Sequence, residues 1–99
     1  MMDYRRFGKT DLTISAFTLG TMRFLHGWDK PCEELPDDSL ENCHDVVKTA
    51  LDAGITLLET AKGYCKSEYL LGRILPTLDT PRDHYHIMTK SPPRETAGE

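Results

Sequence analysis

ITLLETAKGYCKSEYLLGRILPTLDTPRDHYHIMTK, residues 55–90, is the stretch on which the fold turns. Ile55 to Thr60 has the composition of a short buried strand. Ser67 with Glu68 offers an acidic, capping-competent start to a helix that carries Leu70, Leu71, Ile74, Leu75 and Leu78, with Pro76 near its end. Gly72 costs that helix about 1 kcal/mol relative to Ala, which predicts a close approach of helix to sheet there. After Pro81, Arg82 and Asp83, the segment from His84 to Lys90 reads as a second strand. Strand, helix and strand within 36 residues is the size of one βαβ unit, with parallel strands and a right-handed crossover.

Working outward, Leu40, Cys43, Val47, Ala50 and Leu51 recur at helical spacing behind Asp37, Asp38 and Ser39, until Gly54 stops the run. Nothing between Met22 and Pro36 is periodic, so a loop of about 15 residues is expected, longer than most connections in compact domains. Within it, Trp28 and His26 suit either capping of a binding mouth or plain surface packing. Tyr4 to Phe7, a Gly-Lys-Thr-Asp turn and Leu12 to Ile14 predict a hairpin, followed by a strand from Ser15 to Thr21 that ends at Gly20. The polar tail SPPRETAGE adds no element. The class is therefore α/β, and the order of elements leaves two architectures, a piece of a barrel or a small open sheet.

Twelve basic and 16 acidic side chains leave a formal charge of −4 on 99 residues, far fewer than the roughly 250 of a complete eight-fold α/β barrel. With Lys and Arg scattered, the balance argues against a nucleic-acid partner held through phosphates. Cys32, Cys43 and Cys65 are an odd number at spacings that suit neither a disulfide framework nor a metal knuckle, and they read as reduced thiols. No signal peptide or membrane span is legible, and the expected location is cytoplasmic.

Three residues invite chemistry. Glu59 closes the strand Ile55 to Thr60, Tyr64 lies in the loop beyond it, and Lys90 closes the following strand. All three are expected at the C-terminal ends of parallel strands, where such folds place functional groups. A phenol, with an ordinary pKa of about 10, is a poor acid at neutral pH unless a neighbouring cation stabilises the phenolate. Lys90 suits that role, and Glu59 suits holding Lys90 charged and oriented, which makes the three a proton-donating unit. Against this stands the plainer reading that strand-end charges are solvated and Tyr64 covers the sheet rim. Period-two alternation predicts Glu59, Leu57, Ile55, Met88 and Lys90 on one face, with Thr56, Leu58, Ile87 and Thr89 toward the helices. His84 and His86 would share a strand face, but no third ligand accompanies them, and no metal site is expected.

YRRFGKTDLTISAFTLGTMRF (4–24), ALDAGITLLETAKGYCKSEYLLGRIL (50–75) and RDHYHIMTK (82–90) together resemble the N-terminal part of the aldo-keto reductases. Those enzymes are similar in starting with a capping hairpin, a strand ending in Gly-Thr-Met, and a block of the form aGI..xDTA..YG.SE..LG that leads to a strand ending in Thr-Lys. The resemblance runs from Tyr4 to about Pro93. It implies the N-terminal part of a TIM (β/α)8 barrel with a capping β-hairpin, about three of eight barrel strands, in one partial domain over residues 1–99. It also implies NADPH as cofactor and a small aldehyde or ketone as substrate. Carried over position by position, Tyr64 looks like the general acid and Lys90 like its cationic partner. Glu59 stands where most members have Asp, its extra methylene moving the carboxylate by about 1.5 Å. The Glu form is similar to a bacterial subset, some members of which carry an iron–sulfur extension. Gly20, Thr21, Met22 and Glu59 match the cofactor-bordering positions, whereas Cys65 departs from the common Gly after the Tyr. The family's catalytic His and most of its cofactor contacts lie on later strands, so the 99 residues alone are expected to be inactive. The alternative is a truncated, non-catalytic remnant that acts at most as an oligomerising or interaction module, through exposed sheet edges and an uncovered inner face.

Overall fold

The computed structural model describes residues 2–24, 36–64 and 66–91. The readings of His26, Trp28, Cys32, Cys65 and the polar tail beyond Ser91 fall outside the described residues. Along the chain run β1 (Tyr4–Arg6), β2 (Thr13–Ser15), β3 (Thr18–Gly20), α1 (Ser39–Asp52), β4 (Leu57–Glu59), α2 (Ser67–Ile74) and β5 (His86–Met88). Short 3₁₀ turns at Leu75–Thr77 and Arg82–His84 link α2 to β5. The strands β1 and β2 form an antiparallel hairpin, and a separate parallel sheet has the order β3-β4-β5. Its register sets Gly20 beside Glu59 and Glu59 beside Met88.

The expected strand from Ser15 is shorter than the composition suggests. Ser15 ends the hairpin, and β3 starts at Thr18, because Ser15 is committed to a corner. Its N–H donates to Thr56 Oγ1 and the Thr56 N–H donates back to Ser15 Oγ, each at 2.9 Å. Tyr4 fixes the hairpin from its other strand by donating to the Gly54 carbonyl at 2.9 Å. Gly54 has φ +97°, and a Cβ there would lie 2.8 Å from Tyr4 Oη, so the helix stop is also a docking point.

One core layer lies between the sheet and its helices: Phe24, Cys43, Val47, Leu58, Leu70, Leu71, Ile74 and Tyr85. Leu58 is fully buried against the helices, while Leu57 is buried on the opposite face, under the hairpin. Alternation thus holds from Leu57 onward but not before it. The Ile55 N–H is held by the Ala50 carbonyl at 3.0 Å, and Ile55 borders Val46, Ala50 and Ala53 of the α1 region instead of the inner face. Thr56 turns its hydroxyl to Ser15 and not toward the helices.

Three further expectations are corrected. Ser67 does not cap α2; the cap position falls on Lys66, whose side chain makes no capping bond to the helix, and the Ser67 hydroxyl is used elsewhere. Gly72 makes no close approach, since a Cβ there would meet nothing within 4 Å. His84 belongs to a 3₁₀ turn, so it does not share a strand face with His86. Cys43 is a free, buried thiol whose pKa is pushed up to about 12 by burial. Among the described residues no helix is long and apolar enough to cross a membrane.

Candidate active site

Backbone pairing carries the site past the formal ends of its strands. The Thr60 N–H donates to the Met88 carbonyl at 2.8 Å and the Lys62 N–H to the Lys90 carbonyl at 3.0 Å. Lys90, two residues beyond β5, is therefore held in register beside the chain leaving β4, and shares a face with Glu59. Between them, a turn closed by the Tyr64 N–H on the Ala61 carbonyl, at 3.0 Å, brings Tyr64 back over the strand ends.

These side chains close a triangle. Tyr64 Oη donates to Glu59 Oε2 at 2.6 Å, Lys90 Nζ donates to the same carboxylate oxygen, and Lys90 Nζ also donates to Tyr64 Oη at 3.0 Å. The ammonium lies 4.8 Å from the centre of the Tyr64 ring, within cation–π range. Glu59 is well covered, with 17% of its side chain exposed, and Lys90 is open to solvent on one side at 47%. Burial pushes the Glu59 carboxyl up, but hydrogen bonds from Lys90 and Tyr64 and the charge of Lys90 outweigh it and hold the group below its ordinary range. The hydrogen bond to Glu59, then that to Tyr64, raises Lys90 above the usual ammonium value. At neutral pH the pair is a carboxylate and an ammonium, with the phenol proton engaged by the carboxylate.

The direct Tyr64 to Glu59 bond is the contact that sequence reasoning missed. The scheme expected from the residues is a chain, carboxylate to ammonium to phenol, whereas here one carboxylate oxygen serves both partners. The signal was the extra methylene of Glu, which gives the carboxylate the reach.

On the other side of Glu59, Gly20 borders the carboxylate: a Cβ there would stand 3.4 Å from Oε1, in ordinary van der Waals contact. Met22 is partly open to solvent at 39% exposure. Thr21 is fully buried, its hydroxyl without a hydrogen-bond partner among the described residues, and its N–H donates to the Glu59 carbonyl at 3.1 Å. Gly20 and Met22 are thus the members of this segment that present surface, and Thr21 anchors it. No group of three or more potential metal ligands occurs among the described residues.

A parallel β/α unit thus gathers a carboxylate, a phenol and an ammonium at its C-terminal strand ends, where α/β folds place functional groups. Residues 16–98 match the model of the aldo/keto reductase family, and the chain belongs to that family. Two solved structures of an aldo-keto reductase from Pseudomonas aeruginosa are similar to it at 34% identity, with TM-scores of 0.64 and 0.63, over 87% of this chain and 30% of theirs. A Schizosaccharomyces pombe protein bearing the name of a voltage-gated potassium channel subunit beta is 34% identical over 89 residues, 88% of this chain and 24% of its own length. The chain thus spans about a quarter to a third of the length of these relatives.

Proposed function

We propose that this chain supplies the acid–base end of a cytoplasmic, NADPH-dependent reductase of aldehydes or ketones, on a (β/α)8 barrel whose first three strands are β3, β4 and β5. The observation that carries this reading is the Glu59, Tyr64 and Lys90 triangle at the C-terminal ends of parallel strands. When bound, NADPH supplies the hydride. The surface left by Gly20 and the partly open Met22, beside Glu59, fits its nicotinamide end, and those residues with the Glu59 rim would hold it. Tyr64 donates its hydroxyl proton to the carbonyl oxygen as negative charge develops there, and Lys90, bonded to the same oxygen, offsets the charge left on the phenol. Glu59 keeps Lys90 protonated and parks the Tyr64 hydrogen until a carbonyl oxygen competes for it.

A chimera tests this reading. Residues 16–98 replace the matching segment of the Pseudomonas aeruginosa reductase, and NADPH oxidation is followed with a panel of aldehydes and ketones. The expected result is turnover that Tyr64→Phe lowers about 100-fold or more. A chimera with a cooperative thermal transition but no carbonyl reduction, or activity indifferent to Tyr64→Phe, refutes it.

One feature favours the second reading, a self-associating module. A groove of about 420 Å³ between the hairpin and β5 is lined by Phe7, Leu12, Leu57 and Met88, with Ile87 and Met88 exposed on the edge strand. Sedimentation of the isolated chain separates the two: association abolished by Ile87→Lys supports the module, and a monomer at high concentration removes it.

A further inference from the structure

We propose that Ser67 is a positioning residue for the site: its buried hydroxyl ties the Gly20, Thr21 and Met22 segment to the turn carrying Tyr64. In doing so it sets the spacing between the cofactor-facing surface and the acid. This rests on the functional reading given above. Ser67 is fully buried, and its Oγ donates at 2.6 Å to the carbonyl of Thr21, 46 residues away. Its own N–H donates to the Tyr64 carbonyl at 2.9 Å. One residue therefore holds both sides of the site. The Thr21 peptide is gripped twice, through its N–H by the Glu59 carbonyl of β4 and through its carbonyl by Ser67 of α2. The same carbonyl also accepts the Phe24 N–H, in a longer contact of 3.3 Å.

The neighbouring residue braces the other flank. Thr89 Oγ1 donates to Glu68 Oε2, so the first turn of α2 is tied to the chain leaving β3 through Ser67 and to the chain leaving β5 through Glu68. A serine at this position is commonly used for capping, but α2 has no side-chain cap. The hydroxyl serves the strand-end segment instead. Small errors in such spacing are costly, since a displacement of about 1 Å at a reacting centre lowers rates by about 100-fold.

The test uses the isotope-labelled chain without cofactor, as wild type and as Ser67→Ala, Ser67→Cys and Ser67→Thr, read by amide exchange and by the Tyr64 ring and Lys90 ammonium resonances. Ala and Cys both remove the strong donor, and Cys keeps the volume if Ala fails to fold. In either folded variant the Thr21 amide is expected to exchange about tenfold faster. The Tyr64 ring signals should shift and the Lys90 ammonium signal broaden, with Thr restoring both. Unchanged Tyr64 and Lys90 signals in folded Ala or Cys variants overturn the proposal, even where Thr21 exchange accelerates, because the hydroxyl would then serve only its local bond. The chimera's turnover judges the functional reading separately, since no signal used here requires NADPH or a carbonyl.

Discussion

Gly54→Ala should destabilise the chain through two terms that can be separated. The first is conformational: φ is +97° at Gly54, and forcing a residue with a Cβ into that region costs about 1–2 kcal/mol. The second is steric and lies in the contact with the hairpin. The new Cβ would stand 2.8 Å from Tyr4 Oη and 3.2 Å from Met2 Cβ, so Tyr4 must withdraw from the Gly54 carbonyl. That bond is exposed, and its loss is worth about 0.5–1 kcal/mol. Together the terms come to about 1.5–3 kcal/mol, a drop of roughly 6–24 °C in Tm for a domain of this size. Thermal unfolding by circular dichroism measures it. Tyr4→Phe alone removes only the bond, and its Tm should fall by about 3–6 °C. With the hydroxyl gone, Gly54→Ala should cost less in the Tyr4→Phe background than in the wild type, a coupling expected of groups in contact. Equal costs in both backgrounds, or a single-mutant shift below about 3 °C, would refute the argument that Gly54 docks the hairpin.

Stability should also depend on pH at both ends. Glu59 is held below its ordinary pKa, so its contribution is present above the unfolded carboxyl value of about 4.3 and is lost as pH falls through the folded value. Lys90 is held above its own, so its contribution is complete below about 10.4 and is lost as pH rises through the folded value. Denaturant titrations across pH should show both limbs, and Glu59→Gln should flatten the acid one; an unchanged acid limb in that variant would count against the pairing. The isolated chain, covering 30% of its solved relatives' length, should bind NADPH weakly or not at all, and micromolar one-to-one binding by nucleotide fluorescence would contradict this. Cys43, buried with its pKa pushed up to about 12, should react with a disulfide reagent only at the rate of unfolding; fast labelling of the native chain at neutral pH would show that the core opens there.

What the residues reveal before any coordinates depends on whether the decisive partner is near in the chain. The βαβ unit from β4 to β5 is legible because alternation and helical spacing act over a few residues, and Glu59, Tyr64 and Lys90 follow from where those elements end. Ser67 reads as a cap because a Ser before an apolar helical run carries a local capping signal, while its actual partner is a carbonyl 46 residues earlier. Ser15 reads as part of β3 for the same reason, its reciprocal bonds running to Thr56, 41 residues on. Gly72 misled differently. A glycine inside a helix signals either contact or tolerance, and composition does not separate an approached face from an open groove.

The sequence distances within the triangle also govern how it assembles. Tyr64 lies 5 residues from Glu59, and Lys90 lies 31 from Glu59 and 26 from Tyr64, so all three corners of the triangle are carried by one crossover. The hairpin reaches Gly54 over 50 residues and Thr56 over 41. Loop-closure entropy rises only with the logarithm of length, and the longer closure costs about 0.4 kcal/mol more than that between Glu59 and Lys90. The ordering is nonetheless built in. During synthesis the hairpin can dock as soon as β4 is made, whereas the triangle waits for Lys90 and then requires no later residue to close. The triangle is in this sense a modular property of a single supersecondary unit, one that can be inherited or transplanted as one contiguous segment.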